Sequence, residues 1–142
     1  MASICKRFDV AASPDEAWQA VADFGALHTR LVPGFVTACS LEEGGALRLV
    51  TFANGMQVRE RLVTRDDAAR RLVYRTEGGR TSHYNAAVEV LERAGGGSRM
   101  VWTVDLLPDE LAPAVEGMMG MGVKAMEKAL TAQPGATPAG QA

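Results

Sequence analysis

The alternation of apolar and polar residues changes period several times along the chain. Across residues 3–11, Ile4, Phe8 and Val10 alternate with Cys5, Arg7 and Asp9, which predicts a half-buried strand although Lys6 falls on the apolar parity. The period then becomes helical, with Ala17, Trp18, Val21 and Ala22 on one face behind Ser13-Pro14-Asp15-Glu16. That tetrapeptide has the form of a capping box: Ser13 can accept from a free amide, Pro14 suits the first helical position, and Glu16 can reach back. Asp23-Phe24-Gly25 interrupts the helix, and Ala26-Leu27-His28 begins a second short one that ends before Pro33-Gly34.

Strand patterns follow over residues 35–41, 46–53, 56–64, 70–77, 82–92 and 99–106. Glu43-Gly44-Gly45, Asn54-Gly55, Asp66-Asp67, Gly78-Gly79 and Gly95-Gly96-Gly97 separate them. Asn54-Gly55 is the sharpest signal and predicts a two-residue type I′ hairpin, whose central residues both need positive φ. Connections this short leave no room for crossovers, so the sheet is expected to be antiparallel. Over residues 108–131, Leu111, Val115, Met118, Gly122, Ala125, Met126 and Ala129 recur at helical spacing and predict one long amphipathic helix. The last stretch, 132–142, has no charge and several breakers; it is expected to be a disordered tail behind a single domain at 1–131. The fold class is therefore α+β: a curved antiparallel sheet of about seven strands and a long C-terminal helix, with two short helices after the first strand.

Composition narrows the function classes. The 142 residues are 47% hydrophobic and 23% charged, enough for one well-formed core. A formal charge of −2 argues against a nucleic-acid binder. Cys5 and Cys39 are the two cysteines, and neither they nor the two histidines have metal-ligand spacing, so no disulfide framework and no metal are expected. The N-terminus lacks the apolar run of a secretory signal, and no stretch of about 18 apolar residues exists to span a bilayer. A cytoplasmic location without integral membrane association is the expectation. Oligomeric state is open, a homodimer included.

The capped segment 12–18, Val21-Ala22-Asp23-Phe24-Gly25 and Leu31-Val32-Pro33-Gly34 together resemble the START-related polyketide cyclase/dehydrase and lipid-transport superfamily. Val58-Arg59-Glu60-Arg61-Leu62, Leu72-Val73-Tyr74-Arg75 and Trp102 resemble its bacterial single-domain members. The resemblance covers roughly residues 3–131 and rests on patterns of residue type. It implies a helix-grip fold with an apolar cavity between the sheet and the C-terminal helix.

Strand parity proposes which residues face that cavity. A two-residue loop at Asn54-Gly55 sets Ala53 opposite Met56, Thr51 opposite Val58, Leu49 opposite Glu60 and Leu47 opposite Leu62 on the inner face. Arg48, Val50 and Phe52 then face outward with Gln57, Arg59 and Arg61. An inward Glu60 beside Leu49, Val58 and Leu62 must be protonated, paired or wetted. It is either a polar anchor or general base for a ligand, or a structural group paired with a neighbouring arginine or hydrogen-bonded to Tyr74. Tyr74 shares its parity with Leu72 and Thr76, and Tyr84 with Ala86, Val88 and Val90; Ala86 leaves room. Trp102 lies on the apolar parity of the last strand and either fills the core or lines the cavity. Met118 and Met126, among interleaved Gly117, Gly120 and Gly122, form either a pliable wall or a close helix–sheet seam. His28 falls near the expected mouth, whereas His83 has outward parity. Neither histidine stands in a nucleophile motif, and neither cysteine has an activating base.

These residues favour binding of a small hydrophobic or amphipathic ligand: a lipid, a polyketide-like molecule or an aromatic compound. A second reading is a cyclase, dehydrase or hydrolase that needs no cofactor and uses Glu60 and Tyr74 for acid/base work. A third is a protein-interaction module, since some relatives of the fold serve as co-chaperones or coenzyme carriers; it requires an exposed apolar patch.

Overall fold

The computed structural model describes residues 1–131; the predicted tail lies outside the described residues. Seven strands form one antiparallel sheet: β1 (Ala2–Val10), β2 (Val36–Glu42), β3 (Leu47–Phe52), β4 (Gln57–Asp66), β5 (Arg71–Glu77), β6 (His83–Glu92) and β7 (Ser98–Leu107). Their order is β1-β7-β6-β5-β4-β3-β2, so the first strand closes on the last and β2 forms the opposite edge. One-residue register shifts between Val36 and Ala38 in β2 and between Leu62 and Thr64 in β4 bend the strands.

Helix α1 (Pro14–Ala22) begins with the predicted box: the Ser13 hydroxyl accepts from the Glu16 amide at 3.2 Å, and Glu16 accepts from the Ser13 amide at 3.1 Å. Its apolar face buries Trp18 and Val21, and the Trp18 indole donates to Asp67 at 2.9 Å, fixing α1 against the β4–β5 turn. The predicted interruption at Asp23-Phe24-Gly25 contains a 3-10 turn, Phe24–Ala26, and the second helix, expected from Ala26 on, is one π-helical turn, Leu27–Leu31. A short 3-10 turn then leads into the long helix α2 (Ala112–Ala129).

The concave face of the sheet holds the core. Val50, Leu72, Ala86, Val88, Met100, Val104 and Leu106 are buried there with Met119 and Met126 of α2. Each large side chain so buried contributes about 1.5–3 kcal/mol. Lys6, the charge on the apolar parity of β1, sits at the sheet edge where its Nζ reaches Glu116 of α2 at 3.3 Å. One joint ties three elements together: the Ala12 amide donates to the Leu130 carbonyl at 2.9 Å, and the buried Ser98 hydroxyl donates to the Ala12 carbonyl at 2.7 Å. Gly97 makes the approach at that joint feasible, because it has φ +72° and any Cβ there would stand 2.5 Å from the Val10 carbonyl oxygen.

The β3–β4 hairpin departs from expectation. Thr51 pairs with Gln57, Val50 with Val58, Leu49 with Arg59 and Arg48 with Glu60. The loop therefore has three residues, 53–55, closed by Phe52 N–H to Met56 carbonyl at 2.9 Å, with Gly55 at φ +88°. One added loop residue slips the register by one and exchanges the two faces of β3. Arg48, Val50 and Phe52 face inward, and Leu49 faces outward.

Candidate functional site

Between the concave sheet, the 27–36 segment and α2 lies a cavity of about 360 Å³, within the range of small-molecule sites. The sheet supplies Val58, Leu72 and Val88 together with a group of polar side chains. Met118 and Met126 of α2 cover it, with Leu111 and Val115. Leu27, Leu31 and Phe35 form an end wall, where Phe35 meets Phe52 edge-on at 5.3 Å. Exposed Met56 and the exposed Gly78-Gly79-Arg80 turn also line it, so the cavity reaches the surface between those loops.

The polar group is built around an ion pair. Arg48 and Glu60 are 3% and 7% exposed, and their inward parity on adjacent strands brings them together. Arg48 Nε donates to Glu60 Oε1 at 2.8 Å, and Nη2 lies 2.7 Å from the same oxygen. Nη1 donates to the Phe24 carbonyl at 3.2 Å, and the guanidinium carbon lies 4.0 Å from the Phe24 ring centroid and 5.1 Å from that of Tyr74. Aromatic faces suit a poorly hydrated guanidinium. Glu60 is thus paired with arginine, one of the arrangements anticipated for an inward carboxylate, while its Oε2 receives no hydrogen bond from the described residues.

Tyr74 and Tyr84 line the same cavity. Burial pushes the Tyr74 hydroxyl well above the ordinary phenol value, reinforced by the Glu60 carboxylate and opposed by Arg48. Burial raises Tyr84 likewise, with Tyr74 and Glu60 adding to it. Both phenols stay protonated across the physiological range. The Trp102 indole N–H stands close enough to the Tyr74 hydroxyl to lower its pKa slightly, yet it is buried and makes no hydrogen bond of ordinary geometry.

The remaining sequence-predicted residues separate clearly. Val58, Trp102, Met118 and Met126 line the cavity. Leu62 packs against the core outside the lining, and Leu49 lies in a groove on the convex face with Arg59 and Glu77. Leu49 is displaced from the cavity by the one-residue slip, and Arg48 takes its place. His28 sits on the π-helical turn whose Leu27 and Leu31 line the cavity, but is not itself in the lining; its Nδ1 is buried without a partner among the described residues. Both alternatives for α2 coexist: Gly122 packs tightly on Trp102, while Met118 and Met126 form wall. Burial raises the Cys39 thiol, which weakens it as a nucleophile. Among the described residues no group of three or more His, Cys, Asp or Glu is placed to hold a metal ion, and no helix is long and apolar enough to cross a membrane.

Sequence reasoning missed Arg48 because its charge read as outward. The three-residue alternative for the loop was the available signal.

Comparison with solved structures identifies the same architecture elsewhere. A protein from Thermobifida fusca is 32% identical, with 89% of this chain and 88% of that one covered and a TM-score of 0.72. The protein XoxI from Bacillus cereus is 24% identical over 92% of this chain and 96% of its own, with a TM-score of 0.82. Norcoclaurine synthase of Thalictrum flavum, as a point mutant in complex with a transition-state analogue, is 20% identical over 91% of this chain and 93% of its own, with a TM-score of 0.69. A comparison with curated proteins gave no match. The family described as polyketide cyclase/dehydrase and lipid transport matches residues 1–133, and the chain belongs to it.

Proposed function

We propose that this chain binds a small hydrophobic or amphipathic molecule, of lipid, polyketide-like or aromatic kind, in the cavity between the sheet and α2. The observation that carries the reading is the cavity of about 360 Å³, walled by apolar side chains from sheet, helix and the 27–36 segment and holding one compact polar group. Such a lining suits a mostly apolar ligand oriented by a few polar contacts. Val58, Glu60, Tyr74, Tyr84, Trp102, Met118 and Met126 would touch it, and one chain supplies them all. Native mass spectrometry of the purified protein, followed by denaturing extraction, tests the reading. A stoichiometric small molecule is expected. An empty protein with no thermal shift across lipid and aromatic libraries overturns it.

A second reading, a cofactor-independent cyclase, dehydrase or hydrolase, is favoured by the unpaired Oε2 of Glu60 in a cavity lined by two protonated phenols. In that arrangement Glu60 would take a proton and Tyr74 would give one. The norcoclaurine synthase resemblance is consistent with catalysis on this scaffold, although fold alone does not carry a reaction. Turnover of an identified substrate by Glu60→Gln would rule out Glu60 as the essential base. The interaction-module reading has less support, because the large exposed apolar residues are distributed along the chain: Met1 before β1, Met56 before β4, and Leu41, Val63, Leu91 and Met121 on β2, β4, β6 and α2.

A further inference from the structure

The cavity lining carries three charged side chains, and their charges do not cancel. Arg48 and Glu60 hold each other inside at 2.7 Å, whereas Arg80 is exposed at the rim and enters no ion pair or hydrogen bond among the described residues. The nearest acidic residue along the chain, Glu77, lines the groove on the convex face and is held by Arg61 and Arg75. Residues 132–142 contain no acidic side chain. One positive charge is therefore left over where the cavity opens.

The rim around Arg80 has room and further polar atoms. Gly78 and Gly79 share its turn, and a Cβ on either would meet nothing within 4 Å, so no side chain of the turn stands between the guanidinium and an entering molecule. Thr76 pairs with Glu60 across the β4–β5 ladder, and its hydroxyl lies 3.5 Å from that of Thr81, the residue after Arg80; both line the cavity. A polar strip thus runs from the buried ion pair to the opening, while α2 covers the cavity with Leu111, Val115 and Met118.

Desolvation decides where along this strip an anion would sit. A carboxylate driven to the inner pair would lose its water and meet a guanidinium already spent on Glu60 and the Phe24 carbonyl. At the rim it keeps part of its water, and Arg80 offers a planar, weakly hydrated fork that can take both carboxylate oxygens.

We infer that Arg80 is the anchor for the carboxylate end of an amphipathic ligand whose apolar body lies inside, against the sheet and α2. This inference rests on the cavity being a ligand site. It sets the direction of entry: the apolar end goes in first and the charged end stays at the opening.

Isothermal titration at neutral pH with three probes of one chain length tests it: decanoate, decanol and decylammonium. Decanoate should bind at least about five-fold more tightly than decanol, an effect between that of an exposed ion pair and that of a charge-assisted hydrogen bond. Arg80→Gln should bring the two to within about two-fold of each other without changing the affinity for decanol, and Arg80→Lys should retain part of the preference. Arg71→Gln, which removes an exposed arginine outside the lining, should leave the preference intact and so separates a contact from a change in net charge. Equal binding of decanoate and decanol by the parent, or a preference that survives Arg80→Gln, overturns the anchor but leaves the cavity as a ligand site. Tightest binding of decylammonium overturns it in favour of Glu60 as the anchor, and no binding of any probe overturns both readings.

Discussion

Arg48 stands directly opposite Glu60 in the β3–β4 ladder, and two nitrogens of its guanidinium meet a single carboxylate oxygen, at 2.8 and 2.7 Å. The two opposite charges balance each other while keeping polar atoms inside the cavity. Removing one partner strands the other in a low-dielectric site.

Arg48→Met or Glu60→Leu alone should therefore lower the unfolding free energy by about 3–5 kcal/mol, whereas the two together should recover most of the loss. Urea denaturation of the four proteins measures this as a double-mutant cycle. Strictly additive losses would show that the two side chains do not depend on each other.

The glycines of α2 should behave oppositely to one another. A Cβ at Gly122 would lie 2.9 Å from Trp102 Cζ3 and 3.0 Å from Cη2, while one at Gly117 or Gly120 would meet nothing within 4 Å. Gly117→Ala and Gly120→Ala should each stabilise by up to about 1 kcal/mol through helix propensity. Gly122→Ala should destabilise by about 1–3 kcal/mol, because Trp102 must move in a packed layer. Thermal melts followed by tryptophan fluorescence report both the stability and the displacement of the indole.

The observed register sets the two sides of the β3–β4 hairpin apart. Val58→Lys puts an ammonium into the cavity and should abolish binding of any apolar probe that the parent takes up. Leu49→Lys, on the convex face, should leave that affinity within about two-fold, since the added charge remains near solvent. Probe titration of both variants decides between this register and one shifted by a residue.

Alkaline pH should destabilise the fold through the buried phenols. Both titrate above their ordinary value of 10.0 in the folded protein, so the folded state holds these protons more tightly than the unfolded one. The stability they confer is complete below pH 10.0 and is lost as pH rises through the folded-state values. Tyr74→Phe should flatten that decline. Urea midpoints measured above and below pH 10.0 check the sign, and a parent curve that stays level would contradict it.

Local signals carried the architecture a long way. Ser13 and Glu16 announce α1 because a capping box is closed within four residues, and the strand periods survive because one face of each strand is buried. The site is less legible at two points. Asn54-Gly55 fits a two-residue turn, yet Gly55 closes a three-residue one, and that single residue decides whether Arg48 or Leu49 faces the cavity. The place of a charged residue is equally ambiguous: Lys6 is accommodated at an edge by Glu116, which is distant in sequence, and Arg48 inside by Glu60, a partner that only the hairpin register brings opposite it. Nor does residue type reveal that the Trp102 N–H is left unpaired; that depends on where β7 sets the indole relative to Tyr74.

The joint at Ala12 bears on how such a cavity can persist through sequence change. Its amide and carbonyl are engaged by the end of α2 and the start of β7, while its own side chain is only a methyl, 1% exposed. Main-chain atoms on one side of every contact make the joint sensitive to bulk at this position and indifferent to chemistry. The far end of the grip is thus fastened by a residue with no functional group, which leaves the side chains around the cavity free to be exchanged for a different ligand without unfastening the helix from the sheet.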